Sequence, residues 1–208
     1  MVQKLDRLKE SPSQTAGPYV HIGAMPNWVE ITGVWKEDLG LVLVGPETKG
    51  ERVVVKGHIY DGGGTPLKDA LVEIWQADAQ GLYNSPRERR GKADPHFTGW
   101  GRQPTDGVTG EYKFETIKPG CVPYRDGRLM APHITFWIVA RGINIGLHTR
   151  MYFGDEEAAN AECPVLARIE HKVRVPTLIA SRSEENGMPT YTFDIHLQGE
   201  KETVFFDI

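Results

Sequence analysis

From Arg52 onward the apolar residues come in short runs broken by turn-forming residues, a pattern that leaves little room for anything but β structure. RVVVKGHIY (52–60) leads into the turn DGGGTP (61–66) and then ALVEIWQ (70–76), which reads as a hairpin or meander. Tyr112, Phe114 and Thr116 alternate with Lys113 and Glu115, and Tyr191, Phe193, Ile195 and Leu197 alternate with Thr192, Asp194 and His196. A period of two marks strands buried on one face. The segment APHITFWIVARG (131–142) places His133, Thr135, Trp137, Val139 and Arg141 on one strand face and Ile134, Phe136, Ile138 and Ala140 on the other. An imidazole and a guanidinium are therefore expected to share a surface. Helical composition is confined to Asp155–Ile169, which opens with acidic residues suited to a helix N-terminus and is interrupted by Pro164. Many short strands with one helix predict a mainly β chain organised as a β-sandwich.

Before Arg52 the reading changes. ESPSQTAGPYVHIG (10–23) carries Pro12, Gly17 and Pro18, which deny it a stable helix, so it is expected to form an extended arm. Tyr19, Val20 and Ile22 are costly to leave in water, so the arm should dock on something. Residues 24–50 read as a long connection with one short helix. The expected organisation is an arm and connection over 1–50, followed by a single β-sandwich domain over 51–208.

The formal net charge of −4 offers no broad basic field for a phosphate backbone, which excludes nucleic acid as the expected partner. MVQKLDRLKE (1–10) has no apolar run of the kind an export signal needs, and no later stretch approaches membrane-spanning length. The expectation is a cytoplasmic protein with no membrane partner. Two cysteines, Cys121 and Cys163, are too few for a disulfide framework and are not spaced as a CxxC pair, so reduced structural thiols are expected.

The sequence contains no GxSxG elbow, P-loop, HExxH or CxxC signature. His133 alone reads more readily as a hydrogen-bonded core histidine than as a ligand, and Arg141 alone as a solvated or ion-paired side chain. Their meaning changes beside WQADAQGLY (75–83), TGWGR (98–102), TIKPG (116–120), PHI (132–134), RGINIGLHTRMYF (141–153), the terminal QGEKETVFFDI (198–208) and the arm SPSQTAGPYVHIG (11–23). In this order the segments resemble the intradiol aromatic-ring dioxygenases. Within that family they are similar to the iron-free α chains of its two-chain, protocatechuate-cleaving members. The resemblance covers nearly the whole chain from about residue 10, with no distinctive match over 24–50 and 84–97.

The resemblance implies a fold, an intradiol-dioxygenase-type β-sandwich with an extended N-terminal arm and one or two short helices. It also implies a ligand set to check, since active chains of the family hold one ferric ion with two tyrosines and two histidines. The first tyrosine position is filled by Tyr83, but the second, after the IKPG turn, is Val122. The HxH pair reads His133-Ile134-Thr135, so its second position is Thr135. Neither valine nor a neutral threonine replaces a phenolate or an imidazole. Tyr124 could substitute for the lost tyrosine only if the turn absorbed a two-residue shift. Tyr83 and His133 then read as structural remnants, hydrogen-bonded to one another.

The resemblance further implies a chain with no metal of its own and no catalytic residue acting alone. Fe(3+) would be bound by a partner β subunit in an αβ hetero-oligomer, and protocatechuate and O2 would react there. The positions matching those that line the partner's site in such α chains are Thr15, Gly17, Pro18, Tyr19 and Arg141, the last able to meet a benzoate carboxylate. An ion pair at the subunit interface is the competing role for Arg141. Two rival readings are a transthyretin-like or carboxypeptidase-regulatory-like binding module, whose strand-turn-strand chemistry VKGHIYDGGGTPLKDALVEIW also resembles, and a homomeric dioxygenase with altered ligands.

Overall fold

The computed structural model describes residues 14–207, so the opening ten residues and the start of the arm lie outside the described residues. Strand β1 (Arg52–Tyr60) alternates as its sequence does, with Val53, Val55, Gly57 and Ile59 buried and the residues that alternate with them half exposed. One edge of β1 pairs antiparallel with β4 (Glu111–Ile117). Its other edge pairs in parallel with β10 (Met188–Thr192) and β11 (Ile195–His196). Both edges being taken, β1 cannot form the hairpin expected with the next run. DGGGTP does turn, with the Asp61 carboxylate accepting the amides of Gly63 (2.8 Å) and Thr65 (2.9 Å), but its arms meet at one isolated bridge, Tyr60 to Pro66. The chain then crosses to a second layer.

That layer contains β2 (Leu71–Trp75), β3 (Trp100–Pro104), β7 (His133–Val139) and β8 (Leu147–Phe153), in the order β3-β2-β7-β8. Strand β9 (Ile179–Glu185) joins the layers, because its first two residues pair with Tyr152 and Phe153 of β8 while Ser181–Glu185 pair with β10. The sandwich closes around aromatic contacts. Phe136 of β7 lies 5.7 Å from the Tyr112 ring and 5.3 Å from Phe193, and Phe153 packs edge-on at 4.7 Å against Tyr191. Each of these rings is buried, so every one removes a large apolar area from water. A separate two-stranded ribbon, β5 (Val122–Pro123) with β6 (Leu129–Met130), lies outside this sheet.

The run from Tyr191 to Leu197 is not one strand. It breaks at Phe193 and Asp194, where the Asp194 carboxylate takes the His58 amide at 2.9 Å and the Phe193 amide reaches Lys56 O at 2.8 Å. Gly57 makes the break possible, since a Cβ there would stand 2.0 Å from Phe193 O, which also accepts the Tyr112 hydroxyl. The helical segment is shorter than its composition suggests. Helix α2 covers Glu157–Glu162, Cys163 is already extended before Pro164, and a 3-10 turn follows at Leu166–Arg168.

One expectation for the N-terminal segment fails, that the arm is extended throughout. Val20–Ala24 forms one helical turn, α1, because Pro18 lies before the turn, where a missing amide costs nothing. Tyr19 is 73% exposed, whereas Val20 and Ile22 are half-buried and Met25, just after the arm, is fully buried. Within 24–50 a 3-10 turn covers Asn27–Val29 and Leu43 enters the main core. Among the described residues, no helix is long and apolar enough to cross a membrane.

Gly57→Ala is expected to lower stability by about 3 kcal/mol, the upper range for overpacking, because the clash is with backbone. Gly107→Ala, where a Cβ meets nothing within 4 Å, is the control and should change little. Urea unfolding of the two variants checks this, and equal midpoints would show that the strand break adapts.

Candidate functional site

The loop after β2 is organised by a buried carboxylate. Asp78, 1% exposed, accepts the amides of Gln80 and Leu82 on Oδ1, both at 2.9 Å, and that of Asp94 on Oδ2, also at 2.9 Å. Its own carbonyl accepts the amides of Gly81 (3.0 Å) and Gly120 (2.9 Å). The WQADAQGLY loop is thereby locked against the KPG turn. Gly81 sits at φ +79°, and a Cβ there would be 2.1 Å from Cys121 O. This contact brings Tyr83 and Val122 to one cavity of about 500 Å³, which Trp75 and Tyr124 also line.

The sheet register supplies the other two positions. Thr135 on β7 stands opposite Trp75 on β2 and opposite Arg150 on β8, while His133 stands opposite Tyr152. Tyr83 stacks on Trp75, with ring centroids 5.8 Å apart and planes within 3° of parallel. Tyr83 and Val122 thus share a cavity with Trp75, Thr135 stands opposite Trp75 and Arg150, and His133 lies two residues from Thr135 on the same strand. The hydrogen bond expected between Tyr83 and His133 is not found among the described residues. His133 instead places Nδ1 2.8 Å from Ala131 O, and its ring lies 5.7 Å from that of Tyr152.

Because a carbonyl oxygen only accepts, Nδ1 carries a proton, and in the neutral ring the lone pair then lies on Nε2. Burial pushes His133 down to about 4, and the positive charge of Arg150 acts in the same direction. Burial raises the Tyr83 phenol, although Arg150 and Arg90 oppose the shift. A phenol held neutral, a valine, a threonine and a nearby guanidinium do not fit a ferric ion, which needs anionic donors and no competing cation. Arg150 was not recognisable in the sequence. It lies within RGINIGLHTRMYF, but only the β7-β8 register shows that it faces Thr135.

Arg141 does not share a surface with His133. β7 ends at Val139, so Arg141 falls in the following turn, separated from His133 by roughly 25 Å of extended chain. There its Nε meets Asp69 Oδ2 at 2.9 Å, a pairing the β2-β7 register sets up by placing Leu71 opposite Val139. The arm is fastened to the same turn. Thr15 Oγ1 accepts the Gly142 amide at 2.9 Å and donates to Ala140 O at 3.3 Å, and Gln14 O accepts the Ile145 amide at 2.9 Å. Thr15 and Arg141 are therefore neighbours at the end of the sandwich opposite the ligand-type positions. Gly17, Pro18 and Tyr19 follow Thr15, and all three are exposed.

Comparison with known proteins supplies the context for this geometry. The sequence model of the family described as Dioxygenase matches residues 24–199. The chain is 46% identical over 207 residues to the protocatechuate 3,4-dioxygenase alpha chain of Pseudomonas putida, covering 98% of each protein. It is 35% identical over 163 residues to the protocatechuate 3,4-dioxygenase beta chain of Burkholderia cepacia, covering 76% of this chain and 68% of that one. Among solved structures it is similar to the dioxygenase domain of a dioxygenase–carbohydrate-binding fusion from Streptomyces sp. SirexAA-E, with a TM-score of 0.57 and 26% identity over 79% of this chain and 88% of that one.

His133 yields a pH prediction. Its folded value of about 4 lies below the ordinary 6.5, so the unfolded chain binds the proton first as pH falls. Stability from the neutral imidazole is complete above about pH 6.5 and is lost progressively down to about pH 4, by about 3 kcal/mol in all. His133→Asn keeps a donor for Ala131 O but cannot titrate. Urea unfolding between pH 7.5 and 4.5 should show a steeper loss for the natural chain than for the variant, and parallel curves would contradict the assignment.

Proposed function

This chain belongs to the intradiol dioxygenase family, and from that premise we propose that it serves as the non-iron-binding α subunit of a protocatechuate 3,4-dioxygenase. What carries the reading is that Tyr83 and Val122 share a cavity with Trp75, and that Thr135 stands opposite Trp75 and Arg150, so that a valine, a threonine and a guanidinium occupy the region where the family resemblance calls for metal donors. The close similarity to an alpha chain, beside a more distant one to a beta chain, supports a division of labour between two chains. Membership in the family displaces the transthyretin-like module. The altered donor set argues against a self-sufficient homomeric enzyme.

In this reading Fe(3+) is held by the β subunit and supplies activation of the catecholate toward O2. The reaction opens 3,4-dihydroxybenzoate between its hydroxyl-bearing carbons and inserts both oxygen atoms, giving 3-carboxy-cis,cis-muconate. This chain's part is binding and orientation, in the cytoplasm, as the wall of its partner's pocket. Gly17 and Pro18 let backbone approach a flat ring closely, beside Thr15 and Tyr19. Arg141 offers its remaining guanidinium donors to the substrate carboxylate while Asp69 holds Nε. The domain organisation that accompanies this role is an arm and connection over 1–50 and one β-sandwich over 51–208.

Copurified with its partner, the complex should contain iron and a visible tyrosinate band, whereas this chain prepared alone should be colourless. Stoichiometric iron in the isolated chain would revive the homomeric reading. Arg141→Gln in the complex should weaken protocatechuate by about tenfold or more, corresponding to roughly 1.5 to 3 kcal/mol for a charge-assisted pair, and leave catechol nearly unchanged. Equal losses for both substrates would show that Arg141 holds the interface or the fold instead.

A further inference from the structure

Beside the ligand-type positions lies a cavity of about 570 Å³, within the range of small-molecule sites, to which neither the reaction nor the arm gives a role. Its walls are of two kinds. Tyr124, Val165, Ile169, Val204 and Phe206 form apolar surface, and the polar part is supplied by four arginines (Arg125, Arg150, Arg168 and Arg174), His171 and two carboxylates, Glu170 and Asp207. The arginines are not equivalent. Arg174 is satisfied by Glu202 at 2.8 Å and by the carbonyls of Glu202 and Thr203. Arg150, half buried on β8, has no ion-pair partner among the described residues. It donates to Met130 Sδ, 3.4 Å from Nη1, and its guanidinium lies 5.8 Å from the Phe206 ring. A thioether, a ring face and the neutral phenol of Tyr152, which also feels this guanidinium, supply no counter-charge to a partly desolvated cation. Arg125 and Arg168 are exposed and free of ion pairs among the described residues, positions from which they can draw an anion inward.

We infer that this cavity binds a small carboxylic acid with a flat aromatic or polyunsaturated body, its carboxylate on Arg150 and its body against Tyr124 and Phe206. A guanidinium forks onto a carboxylate in its own plane, and the apolar walls suit a ring or diene over a sugar or a polyphosphate. Glu170 and Asp207 oppose ligands of high negative charge. The chemical class is that of an aromatic acid or of its ring-opened acid, so the site would let this chain take up the same molecules its assembly turns over.

The inference goes beyond the function proposed above, and its test uses the assembly of that reading so that the two can fail separately. Protocatechuate is titrated anaerobically into the complex of this chain with its iron-binding partner. Heat reports all acid bound, and the visible band reports only acid bound at iron. The expected result is acid bound in excess of what the band accounts for, with the excess weakened at least tenfold by Arg150→Met while the band titrates as before. Arg168→Gln, an exposed change that leaves the fold intact, should weaken the same excess about threefold and serves if Arg150→Met does not fold. Heat and band in equal stoichiometry, or an excess untouched by these variants, would overturn the inference. A complex with no iron band would count against the proposed pairing, and the heat titration of the same variants would then decide the cavity alone.

Discussion

The structure depends on one close approach between its two layers. Phe136 can reach both Tyr112 and Phe193 only if the chain after β10 bends inward, and that bend places a carbonyl where any residue larger than glycine at position 57 would collide with it. The Tyr112 hydroxyl satisfies the same carbonyl from within the core, so the irregular point leaves no buried polar atom unmet at Phe193 O. Packing and hydrogen bonding are solved together there. The regular strands on either side then keep the period of two that their sequences carry.

Electrostatics at the end of the sandwich that carries Tyr83 and His133 are those of neutral groups around a cation. A ferric site gathers anionic oxygen and bare imidazole nitrogen around a cation, whereas here a permanent side-chain cation stands among a neutral phenol and a neutral imidazole. Arg150 depresses both His133 and His148, after burial, so one guanidinium biases two histidines towards their uncharged forms. The opposite end of the sandwich has a different character, exposed and held by an ion pair and main-chain hydrogen bonds to the arm.

Much of this was legible in the sequence where the information is local. The alternation in β1, β4 and β7, the break at Pro164 and the two short turns around the loop glycines come from residue type and spacing. Pairing is not local, and the errors lie there. The segments 52–60 and 70–76 look like one hairpin until β4 and β10 are seen to occupy both edges of β1. His133 and Arg141 share the parity of one face, yet parity says nothing about where a strand ends. Arg150 could not be singled out, since its importance comes from standing opposite Thr135, a relation set by the register of two strands. Asp69 was missed for the same reason. Family resemblance identified which positions to compare, but the partners of those side chains were visible only in three dimensions.

The lock formed by Asp78 bears on how such a chain can change over time. The loop carrying Tyr83 and the turn preceding Val122 are fastened by a carboxylate, a carbonyl and two glycines, all supplied by the chain itself. No bond to a metal is needed to bring them together. Substitution at a donor position therefore need not disturb the loops that present it, and natural variation can erase or restore single donors while the scaffold stays intact. Duplicated copies of such a scaffold are free to diverge in chemistry long before they diverge in shape.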